Sequence, residues 1–134
     1  MVYAMAARPT GTVTFRFTDV EGSTRQAQAD AAAWSAARSR HHEIVGGAIG
    51  ANEGFAFRVV GDSFCAAFAT IGHGMAAALA AQRGLQHEPW PAASVKARMG
   101  LHTGTADWQG NDYEGYLTLA RAQRVMSVAH GRHR

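Results

Sequence analysis

Apolar and polar residues alternate from Thr12 to Thr18, with Val13, Phe15 and Phe17 on one side and Thr12, Thr14, Arg16 and Thr18 on the other. A period of two predicts a strand buried on one face only. From Asp30 to about Ala51 the spacing changes, and Trp34, Ala37, His41, Ile44, Val45, Ala48 and Ile49 recur at helical intervals up to Gly50. Phe55, Phe57 and Val59 alternate again, Gly61-Asp62 reads as a tight turn, and Phe64, Ala66 and Phe68 return as a partner strand. A second helix is expected from Gly74 to Leu85 around Met75, Leu79 and Leu85, followed by the break Pro89-Trp90-Pro91. Val95, Ala97, Met99 and Leu101 mark a strand that His102-Thr103-Gly104 closes, with Thr105 to Trp108 as a short continuation. A polar turn, Gln109 to Asp112, then leads to a last helix from about Gly115 to Ala129.

This order, β-α-β-β-α-β-(β)-α, contains a split β-α-β unit around a central hairpin. It predicts an α+β fold, a ferredoxin-like βαββαβ sandwich whose sheet contains antiparallel strands and carries its helices on one face. That architecture hosts many activities and fixes none. At 134 residues the chain is one domain, with neither an internal repeat nor a low-complexity linker. The formal charge of +3 comes without a block of like charge, and no basic stripe is interleaved with aromatics, so nucleic acid is not an expected partner. No apolar run reaches the length of a membrane span, and Met1 to Pro9 has no basic n-region and too short an apolar stretch for a signal peptide. The one cysteine, Cys65, reads as an apolar strand residue in a reducing compartment. Together these features predict a cytoplasmic domain without membrane attachment.

Chemistry concentrates at two acidic turns. Thr12 to Asp19 breaks into Val20-Glu21-Gly22-Ser23-Thr24, and the hairpin carries Val60-Gly61-Asp62-Ser63-Phe64. Asp19 and Asp62 each sit where an apolar strand ends, beside glycine and small hydroxyl residues. Two such carboxylates next to free backbone N–H groups can hold divalent cations against a triphosphate. Singly, either aspartate is better read as a turn or cap residue. Asp19-Val20-Glu21-Gly22-Ser23-Thr24 with Val60-Gly61-Asp62, Arg98-Met99-Gly100-Leu101-His102-Thr103-Gly104 and Asp112-Tyr113-Glu114-Gly115 resembles the catalytic domains of class III adenylate and guanylate cyclases. The similarity runs from about Gly11 to Gly131.

The resemblance implies a fold of the nucleotide cyclase type over residues 11–131, with an N-terminal extension 1–10 and a tail 132–134. It implies conversion of ATP, or alternatively GTP, to a cyclic nucleotide and pyrophosphate in intracellular signalling. Two Mg2+ or Mn2+ ions would be held by Asp19, the carbonyl of Val20 and Asp62. Gly22, Ser23 and Thr24 correspond to the triphosphate-binding turn, an anion site at a helix start. Arg58 and Asp112 fall at the purine-reading positions, where adenylate-specific members carry lysine and aspartate. Arginine there presents a longer planar fork. Arg124 falls at the transition-state arginine of the last helix, with Ala120 where the family has a ribose-orienting asparagine. The site of the family forms in a head-to-tail homodimer, so Asp19 and Asp62 would come from one protomer and Arg58, Asp112 and Arg124 from the other. Members of the family continue into further strands beyond the position of Arg134, which implies a domain incomplete at its C-terminal end.

On the last helix, Leu119, Ala122, Met126 and Ala129 share a core face, while Leu117, Ala120, Arg121, Arg124 and Val128 lie opposite. Such a mixture suits a surface covered by a partner, and equally arginines snorkelling over a small helix. His41, His42, His102, His130 and His133 show no zinc spacing and read as structural or exposed. A second reading is a cyclase-homology module that binds nucleotide or a partner domain without turnover. A third, an RNA-binding ferredoxin-like domain, lacks stacked aromatics on an exposed sheet face.

Overall fold

In a computed structural model the described residues are 8–92, 94–110, 112–114, 119–121 and 123–126. The elements are β1 (Gly11–Val20), α1 (Ser23–Ala29), α2 (Ala31–Ala51), β2 (Phe55–Val60), β3 (Ser63–Phe68), α3 (Ile71–His87), β4 (Ala97–Gln109) and β5 (Asp112–Glu114). The sheet runs β2-β3-β1-β4-β5, and every pairing in it is antiparallel. This is the expected α+β architecture, with the first strand at its centre. Residues 119–121 and 123–126 are helical. The expected positions Gly115, Leu117, Ala122, Val128, Ala129 and the tail 132–134 lie outside the described residues. Among the described residues, no helix is long and apolar enough to cross a membrane.

Two clusters of buried side chains hold the sheet. On one face Val45, Ile49, Phe64, Phe68, Ala77, Ala81 and Leu85 pack α2 and α3 against the strands. On the other, Val13, Phe15, Phe17, Ala67, Ala106, Tyr113 and Met126 pack together. Asp30 caps α2 by accepting the Ala33 N–H at 3.1 Å, and Thr70 caps α3 through the His73 N–H at 3.1 Å. The helix from Gly74 to Leu85 is longer than its spacing suggests, and it presents a different face. Gly74, Ala77, Ala81 and Leu85 are buried, whereas Met75 and Leu79 are 58% and 52% exposed. The reason is close approach. A Cβ on Gly74 would lie 3.0 Å from Thr14 Cγ2 and 3.3 Å from Leu101 Cδ2, so small residues must face the sheet.

β4 also departs from expectation. His102-Thr103-Gly104 does not close the strand, which runs unbroken to Gln109 because β1 pairs with it from Gly11↔Ala106 to Val20↔Ala97. A turn through Gly110, at φ 62°, then returns the chain as β5. Three residues with only local partners carried too short a pattern to be read as a strand.

The larger correction concerns β1. Its polar face is not solvated, since Thr14, Arg16 and Thr18 are each at most 1% exposed beneath α2 and α3. Thr14 Oγ1 is 2.8 Å from Thr103 Oγ1. Among the described residues Arg16 is fully buried with no hydrogen-bond partner for any guanidinium nitrogen, and its guanidinium carbon lies 5.9 Å from the Phe68 ring centre. Burial lowers its pKa to about 10. Both ring nitrogens of His41, also fully buried, lack partners. Burial above all, and then the neighbouring His42, lower its pKa to about 4.

Two outcomes follow from these orphaned groups. Arg16→Leu is expected to raise the thermal midpoint by at least about 5 °C, because the lost charge had no partner to strand. A lower midpoint in differential scanning calorimetry would contradict the burial argument. For His41 the unfolded chain takes up a proton near pH 6.5 while the fold refuses it until about 4. Stability therefore drops as pH falls through that window, by on the order of 3 kcal/mol, and levels off below it. In urea titrations from pH 7 to 4, His41→Met should flatten this slope.

Candidate active site

The register of β1 brings the two acidic turns together. Thr18 pairs with Phe64, so Asp19 lies just beyond that pair on β1 and Asp62 just beyond it on the β2–β3 turn, at one end of the sheet. The turn is pinned from α2, where His42 Nε2 lies 2.6 Å from the carbonyl oxygen of Gly61. Gly61 has φ 58°, a conformation that glycine adopts without strain. One carboxylate oxygen of Asp62, Oδ2, is buried and unpartnered. Asp62 and Gly61 line a cavity of about 200 Å³ with Ser23, Thr24, Ala27, Trp34 and Arg38. Gly22, at φ 67°, is the N-cap of α1 and has no side chain with which to bond the first N–H groups of the helix.

Asp19 is differently placed. It faces its cross-strand partner Arg98, which donates to both carboxylate oxygens, Nε to Oδ1 at 2.7 Å and Nη2 to Oδ2 at 2.5 Å. Both side chains are about four-fifths buried, which makes this a strong, geometrically matched ion pair. Val20 follows it and is buried.

Arg58 and Asp112 meet at a second location. A bulge in β2 between Ala56 and Arg58 sets Arg58 opposite Cys65. From there Arg58 Nη2 donates to Asp112 Oδ2 at 2.8 Å, linking β2 to β5. The other oxygen of Asp112 accepts the Tyr113 N–H at 2.7 Å. Beneath this pair Phe57 and Tyr113 pack edge to face at 4.9 Å, and Phe55 and Trp108 at 5.4 Å. These rings contact one another rather than offering open faces, and burial raises the Tyr113 hydroxyl to about 12. The edge strands thus converge over the sheet.

Several solved structures share this fold. An adenylate cyclase of Trypanosoma brucei, in its monomeric state, superposes with a TM-score of 0.84 at 24% identity, over 93% of this chain and 72% of that one. The guanylyl cyclase domain of the RhoGC fusion protein of Blastocladiella emersonii gives 0.76 at 17%, over 91% and 76%. That of RhGC from Catenaria anguillulae, in complex with GTP, gives 0.76 at 18%, over 90% and 73%. The chain has the nucleotide cyclase fold.

Curated relatives carry less meaning. Uncharacterized proteins of Mycobacterium tuberculosis and Mycobacterium bovis are 36% identical over 92% of this chain. The chain spans 41% of their length. No protein-family model matches.

Within the cyclase fold, the third location is the last described helix. A Cβ on Gly100 would collide with the backbone of Met126, so this glycine lets the helix settle against β4. Met126 is buried and Leu119 half-buried, as the core face requires, while Arg121, Arg124 and Val125 point outward. Ala120, partly buried, has no polar atom beyond its backbone.

Among the described residues no three His, Cys, Asp or Glu side chains cluster as metal ligands. The cation donors that the cyclase resemblance implies, Asp19, Asp62 and the Val20 carbonyl, include only two carboxylates and would need ligand oxygens to complete them. The orphaned, buried Oδ2 of Asp62 fits a cation well. Asp19 fits once Arg98 shares or yields its oxygens. Sequence reasoning missed Arg98, Arg38 and the His42 anchor. The alternation around Met99 could have placed Arg98 on the Asp19 side of the sheet, but the pairing partner needed the register.

This contrast is measurable. Asp19→Asn and Arg98→Gln should each destabilise the fold, with a coupling of at least about 1 kcal/mol in a double-mutant cycle. Asp62→Asn should change urea stability by less than about 0.5 kcal/mol, since it breaks no hydrogen bond to Oδ2.

Proposed function

We propose that the chain is the catalytic domain of a purine nucleotide cyclase, converting ATP, or alternatively GTP, to the cyclic nucleotide and pyrophosphate at the interface of a head-to-tail homodimer. The single observation that carries the reading is the convergence of Asp62, with its buried orphan oxygen, on one cavity with Ser23 and Thr24, at the sheet end that also bears Asp19. The adenylate and guanylate cyclases that share its fold support the reaction class.

In this reading Asp19, the Val20 carbonyl and Asp62 hold two divalent cations. Mg2+ or Mn2+ bound there would neutralise triphosphate charge and make the ribose 3′-hydroxyl easier to deprotonate. Backbone N–H groups of Gly22, Ser23 and Thr24 hold the triphosphate, and Arg58 and Asp112 hold the purine. The 3′-oxygen forms a bond to the α-phosphorus as the bond to the bridging oxygen breaks and pyrophosphate leaves. Arg124 of the other protomer balances the charge that develops on the phosphate oxygens. Ala120 offers the ribose no donor, so turnover is expected to be roughly a hundred-fold or more below that of a site with an orienting amide there.

A second reading, a module that binds nucleotide without turnover, is favoured by one observation: both oxygens of Asp19 already accept from Arg98. One assay separates the two. Purified protein with Mn2+ and ATP or GTP should yield cyclic nucleotide, and Asp62→Asn should abolish it. Mixing Asp62→Ala with Arg124→Ala should restore part of the activity, because a mixed dimer holds one intact site. Nucleotide binding with no cyclic product would leave the second reading standing. Activity without complementation, once subunit exchange is demonstrated, would refute the shared site.

A further inference from the structure

One cationic cavity on the described surface has no acidic residue in its lining. It measures about 420 Å³ and is lined by His102, Arg121, Arg124 and Val125. His102 reaches it from β4, where it pairs with Phe15 on the face away from α2 and α3. The arginines reach it from the helix that Gly100 admits against the sheet.

The partners of these cations are as telling as their position. Arg40, Arg58 and Arg98 are each ion-paired with a carboxylate. Among the described residues neither Arg121 nor Arg124 has such a partner, and no carboxylate lines the cavity. Residues three apart on a helix are neighbours, so the two guanidinium groups repel unless an anion lies between them. Each offers a planar fork that matches two oxygens of a phosphate. A ring N–H of His102, which also lines the cavity, supplies a further donor.

We infer that this cavity is a binding site for a linear polyphosphate and that Arg121, with His102, is a binding residue in it alongside Arg124. The electrostatic argument is independent of catalysis; the choice of polyphosphate over other anions rests on the cyclase reading. Arg121 then shares a phosphate with Arg124 and strengthens the hold on pyrophosphate or on the distal phosphates of a nucleotide.

Inorganic pyrophosphate is the probe, titrated calorimetrically into the full chain in EDTA without nucleotide. The native chain should bind it. Arg121→Gln should weaken binding about ten-fold, Arg121→Lys should weaken it less, and Arg83→Gln, which removes an equal charge from α3, should leave it unchanged. Circular dichroism and thermal melts establish that each variant is folded. No binding at millimolar pyrophosphate, or equal affinity in Arg121→Gln and the native chain, would overturn the inference. Because cation and turnover are both absent from the titration, failure of cyclase activity alone would leave its result intact.

Discussion

Everything in this molecule is hung from β1. It is the central strand of the sheet, paired to β3 on one edge and to β4 on the other, and buried on both faces. A one-residue slip in either register would turn its aromatic side outward and separate the acidic turns. Because Phe15 and Phe17 are locked into one cluster while Thr14, Arg16 and Thr18 lie under the helices, the register is fixed from both sides. The end of β1 therefore delivers Asp19 and the start of α1 to a fixed place beside the hairpin turn of Asp62.

That rigidity has an electrostatic cost. Arg16 brings an unpaired charge into the centre of the helix-covered face, and His41 sits near it without a partner of its own. Both are held by surrounding apolar packing rather than by hydrogen bonds. Asp62 is the acid that faces His41 electrostatically, so the buried polar groups extend from the core toward the candidate site. A fold that tolerates such groups has the rest of its core well packed around Phe64 and Phe68.

The site itself is divided by geometry. Asp62 and the Ser23-Thr24 turn share one cavity, while Arg121 and Arg124 share another with no acid in it. In the proposed dimer a single ligand would bridge the acidic half of one copy and the basic half of the other. Arg58 and Asp112, for their part, are already engaged with one another. Asp112 accepts from Arg58 through one carboxylate oxygen and from the Tyr113 N–H through the other.

Alternation and helical spacing were enough to read the element order, the hairpin, the α2 core residues from His41 to Ile49 and the positions of both acidic turns. These are local properties, written in side chains a few residues apart. Asp19 and Asp62 could be named from turn chemistry, and their shared sheet end was expected from their places at a strand end and a hairpin tip. What the sequence could not carry was pairing between distant residues. The alternation of β1 looked amphipathic, yet its polar face is covered, because burial depends on what packs above a strand and not on the strand's own pattern. The inward face of α3 was decided by Gly74 pressing on Thr14 and Leu101, which turned Met75 and Leu79 outward. Arg98 on Asp19, Arg58 on Asp112 and His42 on the Gly61 carbonyl are contacts set by register, a bulge and a helix crossing. Only the tertiary structure decides these, since each depends on how separately formed elements are brought into contact.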